Sequence, residues 1–117
     1  MIMLDDLDDS ALDKLPYGVV CLSERMTVLR MNRAESEASG IQRWRAIGRD
    51  FFGDVAPGAT NRALADAVAA FAADGTKAES QLVHTFKRRA GADTTCIKLE
   101  HGRIPGHVYL RIYHDAA

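Results

Sequence analysis

The sequence predicts an α+β domain with a five-stranded antiparallel sheet, short helices on one face and an N-terminal helical cap. Three observations predict it. Two apolar segments near the N-terminus are joined by a turn tight enough for a hairpin. An Ala-rich stretch in the middle carries Leu64, Val68 and Phe71 at helical spacing. Three alternating segments then follow, separated by Gly and Pro. Helices grouped apart from a mainly antiparallel sheet define the class. The 117 residues make one domain, with an acidic cap over residues 1–15 and the sheet domain over residues 16–115.

In chain order, Leu4, Leu7, Leu12 and Leu15 stand at roughly helical spacing among aspartates, with Asp9 or Ser10 as cap and Pro16 as stop. Tyr17 to Leu22 reads as a buried strand, and Ser23-Glu24-Arg25 as the turn after it. Met26 to Met31 alternates, placing Val28 and Arg30 on one face and Thr27, Leu29 and Met31 on the other. Asn32 is a natural N-cap for a helix over Arg33–Ser39, stopped by Gly40. Arg43–Ile47 makes another helical turn before Gly48, and Phe51-Phe52 leads into a loop at Ala56-Pro57-Gly58. Thr60 is expected to cap the longest helix, Asn61–Ala73, which Asp74-Gly75 ends. Strands are expected over 78–87, 94–101 and 108–114, with turns at Gly91 and Pro105-Gly106.

Fifteen basic and sixteen acidic side chains leave a net charge of -1. That balance excludes nucleic acid as a default partner, because phosphate neutralisation needs a basic surface. The dense basic run Lys87-Arg88-Arg89 is short, and reads as a solvated strand end or hairpin tip. No apolar run approaches the roughly 20 residues of a membrane span, and the Asp-rich N-terminus lacks the basic start of a secretory signal. Cys21 and Cys96 are too sparse for a disulfide framework. A cytoplasmic protein with reduced thiols, and without a membrane partner, is expected.

Several strings resemble the PAS domain family, and within it the photoactive yellow proteins. Leu15-Pro16-Tyr17-Gly18-Val19-Val20-Cys21-Leu22 is similar to the family's first strand. Val28-Leu29-Arg30-Met31-Asn32-Arg33-Ala34-Glu35 is similar to its second strand and following helix. Ile47 to Pro57, with its Phe-Phe-x-Asp-Val-Ala-Pro string, resembles the segment leading into the chromophore loop. The resemblance is strong from about residue 8 to about residue 60, and colinear through the last three strands. It implies the PAS fold and a pocket between sheet and helices. In the photoreceptors the residue after Ala-Pro is the cysteine that holds p-coumaric acid as a thioester; here it is Gly58, which has no sulfur. The family's chromophore-binding tyrosine falls at Met31, which cannot donate a proton. Its glutamate is retained as Glu35, and its threonine appears as Ser39. The resemblance therefore implies a photoactive-yellow-protein-like domain that is not a p-coumarate photoreceptor.

Each candidate residue has a plain reading beside the functional one. Glu35 follows Asn32 by three positions, the spacing of a capping box; turned inward, it is a buried acid able to donate a proton. His84 shares an apolar strand face with Leu82 and Phe86. There it is either a satisfied core residue or a ligand and acid–base group. Gly58 either ends a loop or opens space for a ligand. Phe51, Phe52, Phe86 and Met31 either fill the core or line a mostly apolar cavity. Trp44, between Arg43 and Arg45, reads as a rim residue, and His101, His107 and His114 read as surface residues. No Cys-x-x-Cys or His-Glu-x-x-His motif marks a metal site.

The expected function is a stand-alone sensor or regulatory module. It would bind a small, partly apolar or aromatic ligand non-covalently through Met31, Glu35, Ser39, Phe51, Gly58, His84 and Phe86. Occupancy would pass to a homodimer partner or a separate output protein. No covalent cofactor is expected, with haem through His84 as a minor option. The alternative is a small cofactor-independent isomerase, dehydratase or cyclase with Glu35 and His84 as its catalytic pair. An interaction protein with a filled core is the third reading.

Overall fold

A computed structural model describes residues 3–88 and 91–114. A five-stranded antiparallel sheet runs in the spatial order β2-β1-β5-β4-β3, with β1 Gly18–Leu22, β2 Val28–Met31, β3 Glu79–Arg88, β4 Gly91–His101 and β5 Val108–Tyr113. The helices are α1 (Asp9–Asp13), α2 (Arg33–Ser39), α3 (Arg43–Ala46) and α4 (Arg62–Ala73), with single turns at Leu4–Asp6, Phe51–Val55 and Ala59–Asn61. Among the described residues no helix is long and apolar enough to cross a membrane. The expected tip at Lys87-Arg88-Arg89 falls partly outside the described residues.

The inner sheet face and the helices between β2 and β3 share one core. Val20, Leu22, Val28, Met31, Phe51, Leu64, Val68, Phe71, Phe86, Ile97, Leu110 and Ile112 all belong to it. The outer face carries a second cluster, in which Leu4 and Leu12 of the cap cover Val19, Cys21 and Tyr109. The cap is thus a lid on the back of the sheet. Arg30 fastens it: the guanidinium donates to Leu4 O (3.4 Å), Leu7 O (2.7 Å) and the Tyr109 hydroxyl (2.9 Å). Asp8, rather than Asp9 or Ser10, caps α1, accepting from Ala11 N at 2.8 Å.

Two further expectations are corrected. Strict alternation along β2 fails, because the ladder pairs Leu22 with Val28 but Cys21 with Arg30. The irregularity leaves Leu29 unpaired and 37% exposed, so Val28 and Met31 both turn inward despite opposite parity. The longest helix begins at Arg62, and Thr60 lies in the preceding single turn. Asn61 stands at the N-cap but makes no side-chain cap bond, since its amide is used elsewhere.

Asn32 is the junction of the fold. It is fully buried, and its Oδ1 accepts from Val19 N (2.8 Å) and Glu35 N (3.1 Å). Its Nδ2 donates to Leu12 O (2.9 Å) and Tyr17 O (3.0 Å). One amide therefore joins cap, β1 and α2. The helix it starts ends at Gly40, whose φ of 74° is the left-handed conformation of a helix stop. At Gly18 the helix approaches so closely that a Cβ would collide with Glu35 Oε1, so any larger residue there must push the Glu35 carboxyl aside.

Asn32→Ala leaves buried donors and acceptors unsatisfied and should destabilise the domain by about 3 kcal/mol, measured by urea unfolding followed by circular dichroism. Gly18→Ala should cost about 1–3 kcal/mol by overpacking. The Gly18→Ala/Glu35→Ala double variant should lose less than the sum of the two single losses, because the smaller side chain at 35 removes the collision.

Candidate functional site

Buried polar residues from the sheet and from the helices meet between the two layers. Their first group is centred on Glu35, which α2 places over Gly18 and which is 3% exposed. Its side chain does not return to the helix start as a capping box would. Instead Glu35 Oε1 lies 2.7 Å from His114 Nε2, while His114 Nδ1 lies 2.8 Å from Asp93 Oδ2. The inward reading of Glu35 is the one adopted, and the expectation of a surface His114 is corrected. The period-2 alternation of β5 extends past Tyr113 and points residue 114 inward with Leu110 and Ile112. The hydrogen bond to Glu35 holds the His114 pKa above its ordinary value, against the opposing effect of burial. His101 is likewise half-buried, stacked on Phe71 at 4.1 Å between ring centroids, and His107 is half-buried.

The second group is centred on His84, 9% exposed. Its Nε2 lies 2.8 Å from Asn61 Oδ1, and Asn61 Nδ2 donates to Ala56 O at 2.9 Å. Those bonds orient the Asn61 amide with its oxygen toward the ring, so His84 Nε2 carries the proton. Burial lowers the His84 pKa, which favours the neutral ring. Phe86 meets the imidazole edge-on at 4.7 Å, and Thr95 Oγ1 donates to His84 O at 2.8 Å. His84 is a satisfied residue on the core face, and its partner Asn61 was not foreseen.

Glu35 and His84 are therefore each bonded to a different residue, and the imidazole beside Glu35 belongs to His114. Ser39 does not join them: its hydroxyl accepts from Ile41 N (3.2 Å) and donates to Ser36 O (3.4 Å), closing the end of α2. Met31, Phe51 and Phe86 are 4%, 2% and 4% exposed and belong to the continuous core. The hollow expected between sheet and helices is, at these positions, packed with apolar side chains, Phe51 lying edge-on to Phe52 at 4.9 Å.

Gly58 lies outside that core. It is exposed, has φ 120°, and nothing stands within 4 Å of where its Cβ would be. It borders a solvent-open groove of ≈ 620 Å³ that Phe52, Asn61, Arg62, Ala65 and Asp66 also line. Neither cysteine replaces the missing sulfur. Cys21 is buried under the cap, where burial pushes its thiol up to about 11, and Cys96 is half-buried on β4. Among the described residues no three His, Cys, Asp or Glu side chains form a cluster fit for a metal. Glu35 and Asp93 bind opposite nitrogens of one ring and do not converge.

The profile of the PAS fold family matches residues 12–114. The photoactive yellow protein of Rhodothalassium salexigens is 40% identical over 52 residues, a match spanning 44% of this chain and only 42% of that protein's length. The photoactive yellow protein domain of the sensor histidine kinase Ppr from Rhodospirillum centenum superposes with a TM-score of 0.81 at 24% identity, covering 93% of this chain and 95% of that one. The PAS domain of the Cronobacter turicensis quorum-sensing receptor RpfR, in complex with BDSF, superposes with a TM-score of 0.73 at 18% identity, covering 88% and 97%. A LOV protein of Rhodobacter sphaeroides gives 0.68 at 17% identity, covering 92% and 64%. From α1 to the end of β5, the chain belongs to the PAS fold family and is photoactive-yellow-protein-like in fold.

Proposed function

We propose that this chain is a sensory PAS module that holds a small, partly apolar or aromatic ligand without covalent attachment, and that it is not a p-coumarate photoreceptor. The observation that carries the reading is the open position at Gly58. The residue there has no side chain, no sulfur stands near in sequence, and a groove begins where an anchored group would start. Phe52 and Ala65 offer an apolar wall, while Asn61 and Arg62 offer polar contacts at the rim. Met31, Phe51 and Phe86 lie behind as packed core, so deeper entry requires them to repack; Met31 is flexible enough to do so. The complex of the RpfR PAS domain with BDSF supports the reading, since a domain of similar fold there holds a small molecule.

Occupancy reaches the sheet through Asn61. A ligand that takes the Asn61 amide competes with His84 for Oδ1 and shifts the start of α4 against β3. The signal then passes to a partner, a second copy or a separate output protein in the cytoplasm. The acidic cap over residues 1–15 and the sheet domain over 16–115 act as lid and sensor.

Intact mass of the purified protein should equal the polypeptide mass, with no covalent adduct. In a thermal-shift panel of phenols, aromatic acids and medium-chain fatty acids, at least one compound should raise Tm with its concentration. At one hundred times its Kd the gain should be about 2.7 kcal/mol, about ten degrees for a domain of this size. Ala65→Trp, which fills the groove from the half-buried α4 wall, should abolish the shift and leave the unliganded Tm nearly unchanged. A panel without any shift, or an unaltered shift in Ala65→Trp, sinks the proposal.

A further inference from the structure

His114 is gripped from both sides. One ring nitrogen faces Glu35 of α2 and the other faces Asp93 of β4, at 2.7 and 2.8 Å. A neutral imidazole has one N–H and can donate to only one carboxylate; the imidazolium has two and satisfies both. The side chains of His114 and Glu35 are 16% and 4% exposed, so little water stands by to replace their bond; Asp93, 22% exposed, has a further interaction of its own. Other titratable groups border the groove at this end of the sheet. Glu37 of α2, Tyr17 at the head of β1 and Tyr113 of β5 border the groove beside His114. Among the described residues that line this groove, His114 is the one able to be cationic. Residues 35, 93 and 114 are far apart in sequence, and the imidazole joins the end of the central strand to the elements on either side.

We propose that His114 is a protonation-gated latch: as an imidazolium it fastens the end of β5 to α2 and β4, and on losing its proton it lets that end go. The latch needs no ligand. Glu35 favours the charged ring, so the folded chain holds this proton to higher pH than the unfolded chain does. The latch's contribution is complete below the unfolded histidine value of about 6.5 and is lost as pH rises through the raised folded value. Release leaves one ring nitrogen with a lone pair facing a carboxylate oxygen. The end of β5 then frays, and the groove lined by Gly18, Ala34 and Ala38 widens.

The test uses the full chain. Carbon-detected NMR of the histidine rings follows His114, and amide hydrogen exchange follows Tyr113 and His114 against Leu110 as an internal reference. Between about pH 5.5 and about pH 9, protection at the strand end should fall at least about tenfold with the midpoint of the His114 titration, while Leu110 stays level. Glu35→Gln should lower the His114 pKa and flatten the step; Asp93→Asn, at a more exposed site, should do the same to a smaller degree. Should Glu35→Gln fail to fold, Asp93→Asn alone decides. A His114 that titrates at or below the value of an exposed histidine overturns the proposal. So does a strand end whose protection shows no step where His114 titrates.

Discussion

The side-chain amide of Asn32 is the constraint on which the rest of the structure depends. It closes the N-terminus of α2, but it also receives the Val19 amide and donates to two carbonyls from cap and strand. Helix, strand and cap are thereby fixed relative to one another within one buried residue. The position of Glu35 follows from that, since α2 cannot rotate or withdraw without breaking the set. Gly18 completes the fit by letting the carboxylate lie directly against the strand. A buried carboxylate is costly unless bonded, and His114 supplies the bond.

The two faces of the sheet solve different problems. Behind it, Leu4 and Leu12 shield Val19, Cys21 and Tyr109, while Arg30 satisfies the carbonyls of the cap's first turn. Arg111 adds an ion pair with Glu100 at 2.6 Å on that outer face. In front, an apolar core is bordered by polar residues that all find partners. Polar groups at the border of a tightly packed core fix the register of the elements that carry them. The placement of those elements therefore rests on a few hydrogen bonds.

Much of this was legible in the sequence, and the parts that were not share one physical cause. The ends of α2 were read from Asn32 and Gly40 because capping chemistry is local. The five strands and the long helix were read from their periods, and the photoactive-yellow-protein strings placed Glu35 inside. The slip at Leu29 was invisible, because register is decided by the partner strand. His114 looked like a strand-end residue because its partners lie 79 and 21 positions away. Asn61 looked like ordinary helix because its bond to His84 spans 23 positions. Alternation did point residue 114 to the inner face. Extending the period of β5 by one step, with an eye to buried carboxylates on the facing helix, would have found it.

Trp44 is the chain's single tryptophan, and it is 70% exposed, with Arg45 5.0 Å from its ring centre and its indole N–H tied to Gln42. An indole so placed already meets water in the native state. Its emission should sit far to the red and change little when the core melts, making intrinsic fluorescence a poor gauge of unfolding here. The same ring would respond to anything settling on the corner formed by α3 and the adjoining edge strand, a built-in optical probe for contacts at that spot.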